Sequence, residues 1–213
     1  MLPYLVSALI GSAASVALAF VARVPTYKVA PAFLIPIIWA PLVFRRRLHL
    51  HPVHYALFVI AVMLHNLGAF GWYQKWPFNL SFDIIVHFYF AFAAGFIVFR
   101  LLDRGIPALK TWQVYTATLL FLMGFGALHE LMEYASTLAL GEERGMVKTT
   151  GYKYDTQRDL LNNLLGVTLS LILTAITRAV LRERVLHKYT DAQSGLAYSS
   201  SVALCICGTL VFL

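Results

Sequence analysis

The sequence predicts an all-α fold, a polytopic bundle of membrane-spanning helices, and three observations carry that prediction. Of the 213 residues 60% are hydrophobic and only 13% charged, with a mean hydropathy of +0.72. That is more apolar surface than a water-soluble domain of this size can bury, so the chain needs lipid as its solvent. Apolar runs recur at close to the span length, since a hydrocarbon core about 30 Å thick takes about 20 residues at 1.5 Å rise each. The Lys and Arg residues fall between these runs rather than in one patch. The formal net charge of +7 therefore reads as orientation in a membrane, and nucleic-acid binding is not expected.

Measured with that ruler, the chain offers about seven spans, at 2–22, 29–44, 53–72, 81–102, 112–136, 158–180 and 198–213, with six as the alternative count. The first has no Lys or Arg before it and lacks the charged start of a secretory leader, so it is expected to stay as a span. The second is short and holds Pro31, Pro36 and Pro41, which predict a kinked or re-entrant segment. The last is short as well. Its Cys205 and Cys207, two apart on a helix, point away from each other and read as packing residues. Arg104 to Pro107 and Gly141 to Gly151 punctuate the connections. No repeat or low-complexity tract divides the chain, so a single integral membrane domain is expected over 1–213, with a polar core at 53–180.

Charge sets the expected orientation. The second, fourth and sixth connections hold Arg45, Arg46, Arg47, Arg100, Arg104, Lys110, Arg178, Arg182, Arg184 and Lys188, against Arg23, Lys28, Lys75, Arg144, Lys148, Lys153 and Arg158 in the others. Ten against seven places the N-terminus in the cytoplasm.

Ionisable side chains inside spans cost about 2.5 to 3.5 kcal/mol each on insertion scales and so mark functional sites. They concentrate here on four helices. The third span carries His65 and Asn66, the fourth Asp83 and His87, the fifth His129, Glu130 and Glu133, and the sixth opens with Asp155, Asp159, Asn162 and Asn163. Residues three or four apart share a helix face, so each helix shows a polar stripe. Alternating span directions bring the stripes to similar depth, at the end away from the Arg45-Arg46-Arg47 triplet.

Imidazoles among carboxylates suit a divalent metal, zinc first and manganese or iron next, by the logic that builds di-metal sites inside helix bundles. His65, Asp83, His87, His129 and Asp155 are the candidate ligands. Glu130, Glu133 and Asp159 are the candidate acid and base groups, with Asn66 and Asn163 supporting. A metal with an open position generates a nucleophile from water at about neutral pH, beside which a carboxylate acts as base. Blander roles suit several of these residues equally. Asp155 and Asp159 begin a helix and can cap it, and Asn66, Asn162 and Asn163 can hydrogen-bond between helices. His49, His51 and His54 flank the arginine triplet and read as interfacial, and His187 lies in a charged loop. Trp72, Tyr73, Trp76, Tyr152 and Tyr154 read as an interfacial aromatic belt.

The strings Ser-Phe-Asp83-Ile-Ile-Val-His87, His129-Glu130-Leu-Met-Glu133-Tyr and Tyr154-Asp155-Thr-Gln-Arg-Asp159-Leu-Leu-Asn-Asn163-Leu-Leu-Gly166 resemble the YjdF-like family of small bacterial inner-membrane proteins. The resemblance covers roughly 50–180. A weaker one reaches the VanZ-like family through Asp159-x-x-x-Asn163-x-x-Gly166, although Glu133 stands where that family has Gln. These resemblances imply the bacterial cytoplasmic membrane and the cell envelope, and single out Asp83, His87, Glu130, Asp159 and Asn163. Three functions are then open: a metal-dependent hydrolase or transferase acting on a lipid or envelope precursor at the outer leaflet, a non-catalytic envelope protein, and a proton- or cation-coupled transporter. The first is favoured. The transporter reading lacks acidic stations in the inner halves of the spans. Membrane lipids are the expected partners, with a lipid-linked substrate under the enzymatic reading; headgroup choice would fall to loop residues such as Lys75, Glu142, Glu143, Arg144 and Lys153.

Overall fold

A computed structural model describes residues 1–73, 81–140 and 154–190, with side chains except at 26, 27, 140 and 182–190. Among them are six α-helices and no strand: α1 (Leu2–Val21), α2 (Ala30–Val43), α3 (Pro52–Asn66), α4 (Phe82–Gly105), α5 (Thr111–Leu140) and α6 (Asp155–Thr190). Five are long and apolar enough to cross a membrane, α3 only together with its 3-10 extension Leu67–Phe70. The short α2 carries Pro36 and Pro41 inside it, and its 14 residues span about 21 Å, less than a hydrocarbon core. The expected run at 198–213 with Cys205 and Cys207, the His187 side chain, and Lys75, Trp76, Glu142, Glu143, Arg144, Lys148, Tyr152 and Lys153 lie outside the described residues. The chain divides at Ile172 into Met1–Ile172 and Leu173–Leu213; all of the geometry below belongs to the first unit.

Lipid gives helices no hydrophobic reason to associate, so small residues that let backbones approach do that work. On α1 the seam is Ala8, Gly11 and Ser15, all buried. A Cβ on Gly11 would stand 2.6 Å from Val59 Cγ1 of α3 and 3.2 Å from Ile38 Cδ1 of α2. Trp39 Nε1 donates to Ser12 Oγ (3.0 Å), and the buried Tyr55 hydroxyl to the Ile38 carbonyl (2.7 Å). The closest approach is between α4 and α6, where a Cβ on Gly166 would collide with the Phe88 carbonyl oxygen and lie 3.0 Å from the Phe92 amide. Gly95 meets Ser170 in the same seam, and Gly126 of α5 faces the Asn163 amide of α6. Phe99, Val114, Leu122, Val167 and Leu171 fill the space beyond.

Two bonds fix the polarity of the bundle. The Tyr4 hydroxyl donates to the Leu50 carbonyl (2.7 Å), and the Arg23 amide to the Ala69 carbonyl (2.8 Å). The start of α1 therefore lies beside the start of α3, and their ends lie together. The arginine triplet shares the first end with Arg100. The end of α3 and the start of α4 occupy the other.

Candidate metal centre

Asp83 lies in the first turn of α4, where the helix dipole favours a carboxylate, and His87 follows one turn later. Their Oδ1 and Nε2 atoms are 3.5 Å apart. α6 repeats this spacing with Asp155, Asp159 and Asn163. The Gly166 contact presses that face onto α4 and brings Asp159 Oδ2 to 4.0 Å from the same His87 Nε2. One ligand atom each from Asp83, His87 and Asp159 thus lies within 4.8 Å of the others, a spread that a single cation can close. His87 and Asp159 are buried, while the Asp83 side chain keeps 27% of its exposure, which opens the set on that side.

The opposite edge of the imidazole has its own carboxylate. His87 Nδ1 is 4.0 Å from Glu130 Oε1, and Asn163 is buried one turn beyond Asp159 on α6. Glu130 is buried. Its Oε1 has no hydrogen-bond partner among the described residues, and Thr156 in the first turn of α6 bonds the carboxylate. At 4.0 Å Glu130 and His87 form no hydrogen bond; a carboxylate on this side of the ring would have to close that gap to fix the tautomer of a ligating histidine.

The remaining polar residues form pairs around this set. His129 Nε2 and Glu133 Oε1 are 3.2 Å apart, with His129 39% exposed, and the His129 ring centroid is 5.6 Å from that of His87. His65 Nδ1 bonds the Tyr73 hydroxyl at 2.9 Å, and His65 is near enough to His129 and Glu133 to feel their charge. Asn66 is fully buried, and its Nδ2 has no partner among the described residues. Asp155 lies one turn outward from Asp159 and is half-buried.

The structure therefore sorts the sequence candidates. Asp83 and His87 gather with Asp159, which the sequence had assigned to proton transfer. Glu130 stands behind His87. His129 pairs with Glu133, and His65 and Asp155 stand outside the three-atom set. Trp72 and Tyr73 do more than form a belt, because both rings pack edge-on against Phe82 at the head of α4, at 5.3 and 5.1 Å. Sequence reasoning passed over Tyr73 as the partner of His65, and Thr156 altogether. Thr156 stands three residues before Asp159, a spacing that places it near the same helix face.

Fold and site together define a multi-pass integral membrane protein with a buried cluster of carboxylates and histidines at one end. The chain belongs to the family described as predicted membrane protein (DUF2238), whose model matches residues 4–179. It is similar to the inner membrane protein YjdF of Escherichia coli (strain K12), with 25% identity over 142 residues, 61% of this chain and 68% of that protein. No solved structure matches it. The family match and the similar protein do not show the VanZ-like resemblance.

Proposed function

We propose that Asp83, His87 and Asp159 hold a divalent metal and that the protein is a metal-dependent hydrolase or transferase working on a lipid or lipid-linked envelope precursor. The observation that carries this reading is the convergence of three ligand atoms within 4.8 Å, from a pair of turns on α4 and one on α6, with Glu130 backing the histidine. Three protein ligands leave a position open, which distinguishes reactive sites from closed structural ones. Zinc stands first. Two carboxylates for one imidazole make a hard donor set, which raises manganese and iron beside it. Such a metal polarises a phosphoryl or carbonyl oxygen and makes water nucleophilic near pH 7. His129, held by Glu133 and partly exposed, is placed to move the proton.

The membrane is that of the similar YjdF protein, the bacterial cytoplasmic membrane. The arginine triplet supports a cytoplasmic N-terminal end of the bundle, and the metal set would then face the outer leaflet. A structural network is the second reading, favoured by the His65–Tyr73 and His129–Glu133 contacts at 2.9 and 3.2 Å. Elemental analysis of detergent-purified protein separates the two. One equivalent of metal in the wild type, lost in His87→Ala and Asp159→Asn, is expected. Metal-free wild type, or metal retained in both variants, leaves the structural network standing.

A further inference from the structure

The other end of the bundle carries a second feature, built from different residues. After α2 the chain makes one more helical turn through Arg45, Arg46 and Arg47. It stops in a Schellman motif: the Leu50 amide donates to the Arg45 carbonyl (3.0 Å) and the His49 amide to the Arg46 carbonyl (3.3 Å). His49 takes the left-handed position at φ 46°, the one non-glycine residue with positive φ among the described residues. This conformation is unfavourable for a side chain with a Cβ. Two contacts hold it: the Arg100 guanidinium of α4 donates through Nε to the His49 carbonyl (2.5 Å), and Leu50 is buried in the core. Arg45 Nη1 donates to the Leu42 carbonyl (3.1 Å). The arginines are thus presented by a fixed turn, and their backbone bonds leave most of their five N–H donors each unspent.

Between them runs a groove of about 400 Å³ lined by Arg45, Arg46, His49 and Arg100 with Met1 and Tyr4. A second hollow lined by Val43, Phe44, Arg45, Arg46 and Arg47 shares Arg45 and Arg46 with it. Among the described residues no carboxylate pairs with Arg45, Arg46, Arg47 or Arg100. Positive charge there is felt nearby: burial first, and then Arg100, hold His51 below the usual imidazole range. Large apolar side chains next in sequence to the lining residues are exposed, Leu2 at 72%, Val43 at 74% and Phe44 at 51%.

We infer that this groove binds the phosphate of an anionic phospholipid in the adjoining leaflet, with Arg45, Arg46 and Arg100 as donors and the acyl chains running along Leu2, Val43 and Phe44. Guanidinium forks match phosphate oxygens in pairs, and basic pockets between helices at the cytoplasmic face are the usual seats of such headgroups. A soluble phosphate compound would leave the apolar margin uncovered, which is why a lipid fits the groove better.

Native mass spectrometry of the full chain, released from detergent with phosphatidylglycerol or phosphatidylcholine added, tests this. Phosphatidylglycerol is expected to be retained about 25-fold better by wild type than by Arg46→Gln/Arg100→Gln, at about fivefold per arginine. Phosphatidylcholine should bind equally weakly to both, and His87→Ala should behave as wild type. Arg46 bonds no other side chain among the described residues, so Arg46→Gln alone, expected to lose about fivefold, decides the matter should the double variant not fold. Equal retention of the two lipids by wild type, or undiminished retention in Arg46→Gln, overturns the proposal. Inorganic phosphate displacing the lipid at micromolar concentration overturns the lipid as occupant.

Discussion

The two ends of this bundle handle charge in opposite ways. At one end His87, Glu130 and Asp159 are buried and Asp83 is partly exposed beside them, each within reach of another ionisable group. At the other Arg45 and Arg100, both partly exposed, spend a hydrogen bond on a main-chain carbonyl and have no carboxylate partner among the described residues. Like-signed carboxylates crowded in a low-dielectric site repel, and a cation relieves the repulsion. Arginines at a membrane surface suffer no such crowding, since water and lipid phosphate solvate them. On the proposed readings one end would take a cation and the other an anion, and burial decides which charge needs a partner.

The contrast can be broken most severely at the helix seam. Gly166→Val would drive a side chain into the α4 backbone and is expected to cost about 3 kcal/mol or more, abolishing a monodisperse peak in size-exclusion chromatography and a cooperative melt in detergent. Next comes His87→Ala, which should weaken metal binding by at least about 100-fold, measured by competition with a chelator, while phosphatidylglycerol retention stays unchanged. Glu130→Gln should cost about tenfold, because a carboxylate behind a ligand orients it without binding the metal; a loss as large as that of His87→Ala would make Glu130 a ligand. Acidification separates the ends as well. Metal ligands must be deprotonated, so metal affinity falls as pH drops from 8 to 5, whereas arginine stays charged and lipid retention by the basic groove should hardly change. The smallest effect is expected from Gly124→Ala on α5, where a Cβ meets open space; it should stabilise the helix by about 0.5 to 1 kcal/mol in thermal melts without touching either end.

Five spans were readable from hydropathy, and so were the stripes; the expected count of about seven exceeds the five long apolar helices and the short α2 among the described residues. Both i,i+4 pairs, Asp83 with His87 and His129 with Glu133, lie at 3.5 and 3.2 Å, as helix geometry requires. What hydropathy could not rank was Asp155 against Asp159. They share a stripe, yet Asp159 is 2% exposed and Asp155 half-buried, and the difference is made by how far along α4 the α6 backbone touches. That depth is a property of two helices, so neither sequence segment encodes it alone. The same holds for Glu130, whose place behind His87 follows from the rotation of α5. Tyr73 was hidden for another reason. The end of α3 tightens into 3-10 geometry at Leu67–Phe70 and turns at Gly71 (φ 79°), which carries a residue expected at the lipid surface back onto His65.

The Gly166 contact also acts as a fulcrum. Asp159 stands seven residues before it, about 10 Å along the helix axis, and the carboxylate rides on that arm. A change of crossing angle of about 6° at the seam would move Asp159 by about 1 Å relative to His87, enough to take it in or out of a cation's coordination distance. A widening of the seam near Gly95 and Ser170 would thereby change the spacing of Asp83, His87 and Asp159.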